Sequence, residues 1–186
     1  MNRSALRFKA TINRLDLLYR KGLKAYYPKY RELFLSCVIV KLHDQWNYRS
    51  RQIICDSYGD REAKMLHELR IKWTSNKMRE NWEPDWHMTT NSIRAANLLH
   101  LSNISQIQNA LGAVTYVDDL RWTRNAIVHN IPMSFNKYRE MALNKYQLYN
   151  LPPHELITRV NPITNNTIYE DWCNEMIIAL SSARSA

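Results

Sequence analysis

The stretch Val114-Thr-Tyr-Val-Asp-Asp-Leu-Arg-Trp-Thr-Arg-Asn-Ala-Ile-Val-His-Asn130 carries its apolar residues at helical spacing. At about 100° per residue, Val117, Leu120, Arg124, Ile127 and Ile131 fall in one stripe. Asp118, Arg121, Trp122, Asn125 and His129 fall largely on the opposite side. Arg124 is the misfit, a permanent cation in the middle of an apolar stripe. Burying a guanidinium is expensive unless it is paired or lies at a wet interface. A snorkelling side chain, or one bonded to a core carboxylate or carbonyl, would be the ordinary explanation.

Outward from this segment the helical pattern continues. The chain has only three glycines in 186 residues. Sandwiches, barrels and phosphate-cradling loops spend glycine on turns and close backbone approach, so they are disfavoured. The expectation is all-α. An amphipathic basic helix is expected over about residues 4–26, with Leu6, Leu15, Leu18, Tyr19 and Leu23 as its apolar members. Pro28 can open the next helix, the longest, running to about Cys55 through Leu33, Phe34, Val38, Leu42 and Trp46. Asp60 is a candidate N-cap for a third helix through Trp73, with Ala63, Leu66 and Ile71 facing inward.

Residues 74–88 read as a connection anchored by Trp82 and Trp86 around Pro84. Short helices are expected over about Thr90–Leu101 and over Ile104–Leu111, the latter capped at Ser102 or Asn103 and stopped by Gly112. Another is expected over Thr115–Ile131, one from a Ser134 cap to about Tyr149, and a last over about Thr167–Ser181. With no repeat or linker, residues 1–186 are expected to form a single domain of about six to eight helices.

The charge is uneven. Of 26 basic and 17 acidic residues, residues 1–31 hold nine basic and one acidic, Asp16. Such a local field attracts polyanions by counterion release, although a solubility arm or a solvated helix face has the same composition. Cys37, Cys55 and Cys173 are scattered and form no CxxC pair, which points away from a disulfide framework and toward a reducing, cytoplasmic compartment. The longest apolar stretch, Leu33 to Leu42, is broken by Ser36 and Lys41 and is too short for a membrane span. No secretory signal is expected, because the charged N-terminus lacks a continuous apolar region.

Arg124-Asn125, followed by Ala-Ile-Val and then His129, resembles the signature of the HEPN superfamily: an Arg, commonly with Asn next, and a His a few residues on. Two other pairs have similar spacing, Arg61 with His67 and Arg94 with His100, but neither has Asn after the Arg. Upstream, Leu98-Leu-His-Leu-Ser-Asn-Ile-Ser-Gln-Ile-Gln-Asn-Ala-Leu-Gly112 looks like the helical run before the motif in HEPN ribonucleases of the RiboL-PSP type. The long helix over Leu33–Cys55 is similar to that family's early helix. The likeness extends in pattern over about residues 5–181.

The resemblance implies a HEPN-like helical bundle and a metal-independent endoribonuclease with no cofactor. Two subunits of a homodimer would face their motifs and share one RNA-cleaving site, in a toxin or antiphage-defence setting. Arg124 and His129 would then be catalytic, with Asn125 supporting them. Histidine can take the proton from a ribose 2′-OH or return one to the 5′-oxygen near neutral pH. An always-charged guanidinium meets the negative phosphorane. In this reading Arg124 finds its partner in RNA.

Arg121 and Trp122 are the expected RNA contacts beside the motif, and Arg14, Arg20, Lys21 and Lys24 those of the basic helix. An antitoxin or other regulatory protein would be a further partner. In HEPN toxins paired with a minimal nucleotidyltransferase, the tyrosine two residues after the His is adenylylated; here that position is Ile131, so that control does not carry over.

Rival chemistry is thin. Asp118 and Asp119 point about 100° apart on a helix and read as surface acids rather than metal ligands. His87 and His100 lack ligand spacing with any Cys or second His. No Ser or Cys has a readable catalytic partner. The six tryptophans are core or interface anchors before they are stacking platforms. Two alternatives stand beside the ribonuclease: a non-catalytic helical module binding nucleic acid or a partner protein, and an inactive HEPN-like assembly domain.

Overall fold

The computed structural model describes residues 3–73 and 82–183, and within these the chain is all-α. In order come α1 (Arg3–Lys24), α2 (Pro28–Tyr58), α3 (Glu62–Trp73), α4 (Thr89–Leu98), α5 (Ile104–Gly112), α6 (Val117–His129), α7 (Pro132–Tyr146), a 3-10 turn (Pro153–Thr158) and α8 (Ile168–Ser182). The only β-type pairing among the described residues is an isolated bridge between Val160 and Thr167. No helix among them is long and apolar enough to cross a membrane. Most of the expected connection, residues 74–81, lies outside the described residues.

The residues divide into two compact units, and α1, α2 and α8 contribute to both. One unit takes α1 through Phe8, then Trp46–Val114, then α8 from Met176. Its core holds Phe8, Trp46, Ile54, Met65, Leu69, Trp86 and Ile107. Trp46 Nε1 donates to the His87 carbonyl at 3.2 Å, and the Trp73 and Trp82 rings lie 5.3 Å apart. Pro84 and Trp86 are buried, as an anchored connection requires.

The other unit comprises Lys9–Gln45 and Thr115–Glu175. Here α1 and α2 meet over Gly22, where a Cβ would stand 2.7 Å from Leu35 Cδ2. Tyr19 stacks on Tyr169 at 4.4 Å between centroids, and Tyr169 Oη donates to Asp16 at 2.8 Å. The start of α2 is pinned by a two-pronged bond from Arg31 to Glu155, with Nε–Oε1 at 2.5 Å and Nη2–Oε2 at 2.8 Å.

Several local expectations need correction. The buried stripe of α1 is Ala5, Phe8, Ile12, Leu15 and Tyr19, whereas Leu6 and Leu23 are exposed. In α3 the inward residues are Met65, Leu66, Leu69 and Trp73; Ala63 and Ile71 face solvent. Asp60 sits before that helix, pairing with Lys64 and accepting from the Arg61 amide at 2.6 Å. Asn103 precedes α5 without a side-chain capping bond, and Gly112 is inside the helix. Ser134 is not a cap either. Pro132 opens α7 after the extended Ile131, and Ser134 is buried in its first turn. That helix stops at Tyr146, because Gln147 turns left-handed (φ 58°) and closes onto the Ala142 and Leu143 carbonyls.

Candidate active site

Helix α6 is held at its first turn by a carboxylate from α8. Glu175 accepts from the Thr115 amide (2.9 Å), the Thr115 hydroxyl (2.7 Å) and the Tyr116 amide (2.8 Å). These are amides that a helix start leaves without partners, and the negative charge suits the positive end of the helix dipole. The other end is set by Asn130, whose left-handed backbone (φ 46°, ψ 38°) ends the helix at His129. Asparagine tolerates that conformation better than most residues.

Between these ends the core face is Val117, Leu120, Thr123 and Ala126. The stripe expected through Arg124 and Ile131 is thus displaced. Arg124 follows Thr123 by one residue and stands beside the buried face, half-buried, while Ile131 lies beyond the helix and is exposed. One nitrogen of Arg124, Nη1, donates to Asn125 Oδ1 at 3.2 Å and lies 3.1 Å from His129 Nε2. A guanidinium only donates, so this contact requires an unprotonated Nε2 that accepts. Arg124 holds no ion pair among the described residues. Its Nε is buried without an acceptor, leaving the Nε edge of the fork unused by protein.

Arg124, Asn125 and His129 are therefore brought together, with the imidazole exposed. Arg94, from one of the other Arg–His pairs, is instead bonded to the Trp73 carbonyl at 3.0 Å. Arg121 and Trp122 form a second group on the same helix: Arg121 Nη2 meets Asp118 Oδ1 at 2.9 Å, and its guanidinium lies 4.3 Å from the centroid of the Trp122 ring. Of the α1 cations, Arg20, Lys21 and Lys24 line one groove; Arg14 is exposed and does not line it.

Asp119 departs from its reading as a surface acid. It is 5% exposed, and its Oδ2 accepts from Tyr146 Oη and from Lys145 Nζ, each at 2.6 Å. Trp172 Nε1 donates to the Tyr146 hydroxyl at 3.2 Å. Burial pushes the Asp119 carboxyl above the usual carboxylate range, while the bonds from Lys145 and Tyr146 pull it back. Burial, then the Asp119 charge, pushes the Tyr146 phenol well up. Asp118 points to solvent, so the two neighbouring acids do not converge. Among the described residues no group of three or more His, Cys, Asp or Glu side chains is arranged to hold a metal ion.

This network was invisible in sequence, because its members come from three helices and share no local spacing. Fold and site together define, among the described residues, an all-α protein presenting an Arg–Asn–His cluster near the end of a helix buried along one face. Compared with family models, curated proteins and solved structures, the chain finds no match.

Proposed function

We propose that this protein is a metal-independent endoribonuclease of the HEPN type, cytoplasmic and homodimeric, acting as a toxin or antiphage-defence effector. The observation that carries the reading is the contact of Arg124 Nη1 with both Asn125 Oδ1 and His129 Nε2. A cation without a carboxylate partner next to an imidazole suits a phosphodiester. When phosphate arrives, Arg124 turns to it and frees Nε2. His129 then takes the proton of the ribose 2′-OH, whose oxygen bonds to phosphorus as the P–O5′ bond breaks. The products are a cyclic phosphate and a 5′-hydroxyl, the 5′-oxygen receiving its proton from an imidazolium. Arg124 meets the charge of the phosphorane, and Asn125 restrains the guanidinium. Arg121 over Trp122 is a flanking RNA contact.

The homodimer gains support from Val128, Ile131 and Met133, exposed apolar residues next to His129. An antitoxin or regulatory protein would cover the same face. The test is cleavage of RNA in excess EDTA. Wild type is expected to cut and His129→Ala to lose at least about a hundredfold in rate, the usual contribution of a positioned acid–base group. Equal activity of the two would end the enzymatic reading. Mixing Arg124→Ala with His129→Ala protein is expected to restore part of the activity through shared sites.

A second reading, a non-catalytic nucleic-acid-binding module, draws on the basic groove of α1. It requires binding that survives replacement of Arg124 and His129, with no cleavage by wild type.

A further inference from the structure

The turn between α1 and α2 carries an aromatic and cationic groove that the α6 chemistry does not use. It has a volume of about 670 Å³ and is lined by Arg20, Lys21, Lys24, Tyr26, Tyr30 and Phe34 among others. No carboxylate lines it. Asp16, the single acid of the first 31 residues, is occupied by the Tyr169 hydroxyl, and Arg31 is occupied by Glu155. Arg20, Lys21 and Lys24 enter none of the ion pairs formed among the described residues.

The rings are exposed to an unusual degree. Tyr26 is 91% exposed, Tyr27 62% and Tyr30 57%, all within five residues of chain. They touch edge to face, Tyr26 on Tyr27 at 5.2 Å and Tyr27 on Tyr30 at 6.1 Å. With these edge contacts made, the Tyr26 and Tyr30 rings still keep most of their surface in water. An apolar surface this open marks a binding site more often than a solvated loop.

We propose that this groove binds single-stranded nucleic acid, its phosphates on Arg20, Lys21 and Lys24 and its bases stacked on Tyr26 and Tyr30. The charge is complementary to a polyanion, and flat exposed rings are complementary to unstacked bases. A duplex offers phosphates but keeps its base faces covered. An anionic membrane would be met by a convex apolar surface, whereas here the cations and rings share one concavity. The inference deepens the basic-helix part of the functional reading but is independent of whether Arg124 and His129 cleave RNA.

The experiment uses the full chain and fluorescein-labelled oligodeoxythymidylate of about 12 nucleotides, within the span of a single-strand site. Lacking a 2′-OH, this probe cannot be cut by the proposed chemistry, so a failed ribonuclease reading does not affect the result. Fluorescence anisotropy is expected to show saturable binding. Tyr26→Ala/Tyr30→Ala should weaken it about tenfold or more, given ~1–3 kcal/mol per stacked base, without altering the salt slope. Lys21→Gln/Lys24→Gln should lower the slope of log K against log salt by about 1.4, at ~0.7 per phosphate on a single strand. Both pairs of substitutions lie on exposed residues, and unchanged thermal melts verify folding.

Three results would overturn the proposal. One is absence of binding; another is equal affinity for a duplex of the same length; the third is indifference to the tyrosine changes. Phosphatidylglycerol vesicles form the last arm: tyrosine-dependent vesicle binding without oligonucleotide binding would assign the groove to membranes instead.

Discussion

Glu155 accepts the Arg31 guanidinium through both oxygens, and that bond, against the opposing effect of burial, holds its carboxyl below the ordinary 4.5. A group whose pKa is lower in the folded state stabilises the fold above its unfolded pKa and loses that contribution as the pH falls through the folded value. Wild type should therefore lose stability below about pH 4.5 through this residue. Glu155→Gln should be less stable at pH 7 by about 1–3 kcal/mol, the usual range for a charge-assisted bond, and its disadvantage should shrink in acid. Urea unfolding at neutral and acid pH measures both effects; a pH-independent gap would contradict this account. Asp119 has the opposite sign, since burial raises its carboxyl. The contrast comes from surroundings, not residue type: Asp119 is enclosed among α6, α7 and α8, whereas Glu155 meets a guanidinium at a half-buried turn.

At the scale of elements, the approach of α1 to α2 depends on the missing side chain at Gly22. Alanine in a helix interior is ordinarily favoured over glycine by about 0.5–1 kcal/mol. Here its Cβ would lie 2.7 Å from Leu35 Cδ2 and 2.9 Å from Cγ, so the fully buried Leu35 side chain or the helix itself would have to shift. Gly22→Ala is expected to destabilise by roughly 1–3 kcal/mol, the range for overpacking, despite its better helix propensity. A higher melting temperature for the variant would show that the two helices can part. Element ends follow similar logic. The C-termini at Asn130 and Gln147 are made by left-handed residues, the first with a sequence signal and the second without one. Pro132, expected to stop α6, instead opens α7, since α6 already ends at His129 before the left-handed Asn130; with Pro132 as the first helical residue the Ser134 cap is superfluous.

On the scale of the molecule, the junction of α6 and α7 leaves Val128, Ile131 and Met133 exposed beside His129. A homodimer of the proposed kind covers this surface and brings two motifs together. Sedimentation or light scattering is expected to give twice the chain mass of 22.2 kDa. Met133→Glu, 70% exposed in the chain and outside the Arg–Asn–His cluster, is expected to give monomers that no longer cleave RNA. A monomeric wild type that cuts RNA at full rate would refute the shared site while leaving the chemistry of His129 intact.

The helical class, the α2 span beginning at Pro28, the approximate span of α6 and the basic bias of residues 1–31 were legible from spacing, proline position and charge count alone. These are local properties: a helix needs only its own residues to announce its period. The contact of Arg124 with Asn125 and His129 was not legible: one helix carries all three, but the spacing set Arg124 on a stripe largely opposite the other two, and only the structure brings them together. Which face of α6 is buried was not legible either, because Thr123 and Ala126 are weakly apolar and Ile127 and Ile131 mimic a better stripe. Partners from distant helices made that choice: Lys145 and Tyr146 receive Asp119, and Glu175 holds the first turn. Tertiary packing alone decided that Arg124 stands beside the core while Asp119 turns into it, because the free energy of burying a charged group depends on the partners that surround it after folding.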